Sequence, residues 1–439
     1  MKQLVRFALP FMLSNLLQQV YTLTDMAIVG RFLGSVGLTA TSNGSEIVNM
    51  LLVFCAGFSG AGQIIVSQYV GAGNREKLQK AIGTLFSFVF LVGLVTLAGA
   101  ILFSDRLLQL LNVPTEAMQE AHNYAYMCCW GILAVFGYNT IAAILRGMGD
   151  SRHPTIFVVV SSAVNIVLDL LFVGGLGTGC FGAALATVLS QILSFLMALA
   201  FTYRNWEMFG FDYRLSSFRI HREQLAPLVR LGVPMALTGC AVMISSFFVN
   251  SFLNRYGVVI AAVTAVGNKI THAVTICTQA LNTATSTMVG QNFGAGKLRR
   301  VSQCLLCCLG IGLIFSGLFT VLMMLFPERV FGLFDNSPEV LAMCHLYLPS
   351  AIVALSSFAT RATAQGLING VANSALSFIT GILDGFIARI GLSYLLGTIL
   401  EMGVSGYWMG SALAGHAFTI IGILYYLSGR WKRRKSVVA

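Results

Sequence analysis

Apolar residues run through this chain in long blocks with little polar relief. Charge, proline and glycine divide them into twelve segments, at 6–32, 38–70, 78–103, 118–145, 154–174, 180–203, 226–254, 259–292, 301–326, 340–367, 374–399 and 405–429. Phe, Val, Leu and Ala fill these segments without sustained apolar–polar alternation, which excludes a membrane β-barrel. A helix crosses a bilayer with about 20 residues, so the pattern predicts an all-α integral membrane protein with twelve transmembrane helices. Several segments exceed one crossing and predict tilt or extension past the bilayer.

Composition sharpens this. Of 439 residues, 56% are hydrophobic and 10% are charged, against about 25% charged in an ordinary soluble domain. A cytosolic enzyme, a disulfide-stapled secreted domain and a disordered chain are all excluded. The net charge of +11 does not imply nucleic acid, because Lys and Arg sit in short clusters between apolar segments instead of on one solvated face. Counted by alternate connections, twenty fall on one side, including Arg75, Lys77, Lys80 and the tail from Arg430 to Lys435. The other side has four, Arg31, Arg106, Arg255 and Arg329. This bias predicts a multi-pass protein of the plasma (inner) membrane with both termini cytoplasmic, its basic tail a topogenic anchor. The ten cysteines form no disulfide framework, and the helically spaced Cys304, Cys307 and Cys308 read as packing residues. No metal site is expected. The first apolar run is too long for a cleavable signal and lacks its exit.

The longest polar connection, 204–225, separates an amino-terminal six-helix lobe (1–203) from a carboxy-terminal one (226–439) that carries the basic tail. The halves resemble each other. Arg6-Phe-Ala-Leu-Pro10 matches Arg230-Leu-Gly-Val-Pro234, Arg31 matches Arg255, and Gln68-Tyr-Val-Gly71-Ala-Gly73 matches Gln291-Asn-Phe-Gly294-Ala-Gly296. Tyr126 pairs with Tyr347, Gly147 with Gly366 and Gly182 with Gly406, at shifts between 219 and 224. An ordered series with nearly one shift indicates duplication. Six is even, so the repeats are parallel and related by an axis along the membrane normal, as in transporters. No channel filter is visible.

Acids inside spans are expensive and mark function. There are four: Asp25, Glu46, Asp169 and Asp384. Gln18, Tyr21 and Asp25 share one helix face, and Asn165 lies one turn before Asp169. Tyr124, Asn139, Thr187 and Gln191 add polar groups in the same half. Two neighbouring buried carboxylates cannot both stay ionised without a cation. That suits proton coupling, and the same oxygen set suits sodium. In the second half Lys269 replaces Glu46, and Asp384 precedes Arg389 by five residues. An Asp384/Arg389 or Asp384/Lys269 ion pair stands beside a substrate-path role for these three. Gly71-Ala-Gly73 and Gly294-Ala-Gly296 read as helix ends, as does Arg146-Gly-Met-Gly149-Asp150. No Walker, GxSxG or HExxH pattern occurs, so transport is expected to run on an ion gradient without a cofactor.

These motifs together resemble the multidrug and toxic compound extrusion (MATE) family across essentially the whole chain. The carriers are Pro10, Asp25-Met-Ala-Ile-Val-Gly30, Gln68-Tyr-Val-Gly71-Ala-Gly73, Arg146-Gly-Met-Gly-Asp150, Asn165-x-x-x-Asp169 and Gly182-Ala-Ala-x-Ala-Thr187. The resemblance implies two six-helix bundles and export of mostly cationic, amphipathic compounds against protons or sodium. Asp25, Asn139, Asn165, Asp169 and Thr187 are similar to the amino-lobe cation site of the DinF-like branch, with Gln18, Tyr21 and Tyr124 lining the same cavity. The NorM-like branch uses acids in the seventh and tenth spans, and 234–254 and 341–367 hold none. Expected partners are small-molecule substrates and the bilayer, with no nucleic acid, for a protein acting as a monomer. The alternatives are a lipid-linked precursor flippase of the same superfamily, which calls for a more cationic cavity, and an intramembrane enzyme, which calls for a convergent nucleophile or metal set.

Overall fold

The computed structural model describes residues 2–110 and 113–437. Among them, eleven apolar helical stretches are long enough to cross a membrane. The first, Lys2–Ala72, has 71 residues. At about 1.5 Å per residue it is far longer than a bilayer core of about 30 Å. Gly34 breaks it, with φ 66° and ψ −157°, a combination open essentially to glycine alone. The described residues thus form twelve spanning helices. They are α1 (2–33) and α2 (35–72), then α3 Arg75–Leu110, α4 Thr115–Gly147 and α5 Arg152–Asp169. Next come α6 Gly179–Arg204, α7 Arg222–Asn254, α8 Val258–Gly294, α9 Leu298–Leu325 and α10 Pro338–Gly370. The last two are α11 Ser374–Ile399 and α12 Gly403–Leu427. The pattern predicts a connection at 33–37; the structure has a one-residue kink there instead.

The helices group into two compact units, Leu9–Ala236 and Leu237–Ala439, the latter joined by Met1–Ala8. The start of α1 therefore belongs with the second unit, where Leu4 and Ala8 pack against Leu281, Ala284, Cys308 and Ala362. In the first unit α4 packs on α3 and α6; in the second, α10 packs on α8, α9 and α12. Small residues set these approaches. A Cβ on Gly44 would lie 2.6 Å from the Tyr124 ring, and one on Gly267 would lie 2.3 Å from the Tyr347 ring. Likewise Gly147 faces the Gln63 carbonyl and Val66, and Gly370 faces the Ser286 carbonyl and Val289. These matched contacts correct two equivalences drawn from sequence. Tyr124, not Tyr126, is the counterpart of Tyr347, and Gly370, not Gly366, that of Gly147.

Outer faces carry Val95, Leu102, Ile314 and Leu424, all exposed. Leaving each in water forfeits about 1.5–3 kcal/mol of burial, which is the surface chemistry of a lipid-facing bundle. The connection between α6 and α7 is folded onto α3. The His221 N–H donates to Thr84 Oγ1 at 3.1 Å, Ser87 donates to the Phe218 carbonyl, and buried Phe211 stacks on Phe86. The basic tail is anchored too. Trp431 is fully buried among Val289, Phe293, Leu367 and Val371. Arg434 donates to the carbonyls of Val371 and Ala372 at 3.2 and 2.9 Å.

Candidate functional site

The first unit positions its acids through three helix segments. On α5, Asn165 and Asp169 stand one turn apart and both are fully buried. With its amide oriented to satisfy its neighbours, Asn165 donates to Asp169 Oδ2 at 2.8 Å and accepts from the Thr187 N–H of α6 at 3.1 Å. Beyond Asp169 the helix widens through Leu170–Gly175, closed by Leu176 N–H to the Leu171 carbonyl at 2.8 Å. Such wide turns occur mostly as single-turn bulges, frequently at functional sites. From α1, Asp25 brings its carboxyl within hydrogen-bonding reach of Asp169. Asp25 Oδ1 and Asp169 Oδ1 are buried and have no hydrogen-bond partner among the described residues.

Tyr21 lies beside Thr187, whose hydroxyl is buried and closes no bond of good geometry. Tyr124 is buried next to Gly44 and accepts from Ser45 at 3.2 Å. Asp25, Tyr21, Tyr124, Asn165, Asp169 and Thr187 therefore form one cluster. Asn139 donates its amide to the Val135 carbonyl of its own helix at 2.9 Å. Gln18 and Glu46 are exposed. Ser45 and Cys128, which neighbours Tyr124 and Asp25, were not singled out from the sequence. Their only signal there is position, one residue past Gly44 and one turn past Tyr124.

In the second unit the expected partners of Asp384 need correction. Asp384 is fully buried and pairs with Arg361 of α10, whose Nη2 lies 2.5 Å from Asp384 Oδ2. Lys269 is exposed on α8. Arg389 is a neighbour of this pair and not its main partner. Five residues of α-helix separate side chains by about 140°, but Asp384 sits in a second wide turn, Leu383–Ala388, which swings Arg389 back toward it. Arg389 Nη1 donates weakly to Ser411 of α12 at 3.4 Å. His416 of α12 shares a hydrogen bond with Ser356 at 3.1 Å.

The duplication makes these two clusters comparable. At the shift of 224 that aligns Pro10 with Pro234, Asn165 corresponds to Arg389, Asp169 to Ser393, Thr187 to Ser411 and Asp25 to Val249. The Asn165–Thr187 contact in one unit is an Arg389–Ser411 contact in the other. Acid and amide in one lobe are thus base and hydroxyl in the other. All ten cysteines are free.

Two homologous six-helix lobes, with ionisable side chains buried in each, define a polytopic membrane protein of the transporter class. The chain belongs to the MatE family, whose profile matches it twice, at residues 10–171 and 234–395. The two matches repeat the duplication. Among curated relatives, the probable multidrug resistance protein YoeA of Bacillus subtilis is 28% identical over 434 residues, covering 98% of this chain and 94% of that one. The probable multidrug resistance protein YpnP of the same organism is 29% identical over 443 residues, covering 99% and 96%. Among solved structures, an outward-facing multidrug resistance MATE family transporter of the MOP superfamily superposes with a TM-score of 0.91 at 24% identity, covering 99% and 96%. A MATE in the bent conformation gives 0.89 at 23% identity, covering 98% and 96%. The chain has the MATE fold.

Proposed function

We propose that this protein is a secondary active antiporter that exports organic, mostly cationic and amphipathic compounds from the cell. Proton or sodium entry drives it through the Asp25/Asp169 site, in a plasma (inner) membrane with both termini cytoplasmic. One observation carries the coupling assignment. The buried Asp169 carboxyl and the half-buried Asp25 carboxyl approach within hydrogen-bonding reach, and each keeps a buried oxygen without a partner among the described residues. Such a pair carries one shared proton or takes up a cation between its oxygens. Intramembrane acids of this kind mark ion pathways. The multidrug resistance names of relatives matched over nearly their whole length support the cargo class.

The test is efflux from proteoliposomes under an imposed proton gradient, and separately under a sodium gradient. Asp25→Asn should insert and elute like the parent but lose gradient-driven efflux and drug resistance. Normal efflux by that variant overturns the proposal.

A further inference from the structure

The second unit holds a surplus of half-buried positive charge that the proposed ion coupling does not use. Two guanidinium groups, Arg361 and Arg389, share one carboxylate, Asp384. Among the described residues that is the one acid paired with either arginine. Asp384 Oδ2 lies 2.5 Å from Arg361 Nη2, but neither Asp384 oxygen closes a hydrogen bond of good geometry. Arg389 keeps only the 3.4 Å contact to Ser411, and its Nε is buried with no partner. His416 adds a buried Nδ1, likewise unpartnered. The Phe418 ring lies 5.9 Å under the Arg361 guanidinium. Donors left without acceptors in an apolar lobe carry a desolvation cost that an incoming anion removes.

We infer that this lobe carries an anion site, built on Arg389 and Arg361 and bordered by Ser411 and His416, that takes the carboxylate of an aromatic or otherwise amphipathic organic acid. A guanidinium is a planar fork of donors that matches a carboxylate in two parallel hydrogen bonds. The Phe418 ring and the surrounding apolar helices favour an organic anion over a small hydrated one. Asp384 occupies Arg361 from within the lobe and repels a second carboxylate, so it limits the affinity. The anion site stands on this geometry alone; its service as a cargo site rests on the export reading.

Benzoate is the probe, with benzamide as its uncharged analogue and chloride as the inorganic alternative. Binding is measured by isothermal titration to the full chain in nanodiscs of zwitterionic lipid, without a gradient. Loss of ion-driven efflux and loss of benzoate binding are therefore distinguishable failures. The parent should bind benzoate saturably and bind benzamide and chloride at least about tenfold more weakly. Arg389→Gln should weaken benzoate about tenfold or more, the worth of a charge-assisted hydrogen bond. Asp384→Asn keeps both guanidiniums, removes the internal competitor and should tighten benzoate. Benzamide or chloride binding as well as benzoate overturns the inference, as does parental affinity in Arg389→Gln. If Arg389→Gln does not fold, Asp384→Asn decides the matter, and unchanged or weaker benzoate binding there overturns it.

Discussion

Asn165 holds the acidic site in shape. Its amide has two ends and uses both, one on Asp169 Oδ2 and one on the Thr187 N–H, so it fixes the carboxylate relative to α6. Hydrogen bonds to charged groups are worth about 1.5–3 kcal/mol, or roughly tenfold to a hundredfold in affinity. Asn165→Ala should therefore insert normally and raise the concentration of coupling ion at half-maximal efflux by at least about tenfold, measured across graded proton or sodium gradients. An unchanged half-maximum would show that Asn165 does not position Asp169. This part of the site was legible in the sequence, because residues four apart on a regular helix share a face. Asp384 was legible as an expensive buried acid, but its partner was not. The wide turn at Leu383–Ala388 alters the angular rule that sequence spacing relies on. Arg361 also lies on a different helix, 23 residues away by sequence, where no local pattern points to it.

At the scale of elements, the two lobes solve one chain reversal with different residues. Gly149 after α4 has φ 96°, and Ala372 after α10 has φ 56°; they correspond at the shift of 223 set by Gly147 and Gly370. A side chain in the left-handed region costs about 1–2 kcal/mol. Arg434, donating to the carbonyls of Val371 and Ala372, helps hold Ala372 in that conformation. Ala372→Gly should therefore raise thermal stability by up to about 1 kcal/mol, since glycine removes the strain of the native conformation and gives back part of that gain by loosening the unfolded chain. Gly34→Ala should do the reverse, losing about 1–3 kcal/mol at the kink. Thermal unfolding in detergent, followed by intrinsic fluorescence, reads both signs, and a shift of the same sign for both refutes the rule. Sequence placed most helix ends within a few residues but drew a loop where Gly34 makes a kink. A single glycine among apolar residues looks the same in a smooth helix as in a sharply broken one. The anchoring of the tail by Trp431 was hidden for a similar reason. Five basic residues between Arg430 and Lys435 dominate that stretch, and the one aromatic that packs carries no periodicity.

At the scale of the whole molecule, duplication preserved the frame and divided the chemistry. The glycine–tyrosine contacts Gly44–Tyr124 and Gly267–Tyr347 show the same packing in both lobes. Yet Asp25 corresponds to Val249, buried in an apolar cluster with Val263, Tyr347 and Trp408. An acid transplanted to that position should not recreate the proposed coupling site. It costs about 2.5–3.5 kcal/mol in an apolar span. The duplication also sets it opposite Ser393 and Arg389, where a second acid and an amide stand in the first lobe. A carboxylate facing a guanidinium stays ionised and paired, so it neither shares a proton nor attracts a cation. The double variant Asp25→Asn/Val249→Asp should therefore reach the membrane and remain without gradient-driven efflux, as Asp25→Asn alone does. Restored efflux in proteoliposomes would mean that either lobe can carry the coupling ion once given one acid. The Asn165–Asp169 pair would then lose its claim to be what distinguishes the first lobe. Continued silence, with the variant folded, ties coupling to the set of neighbours and not to the presence of one buried carboxylate.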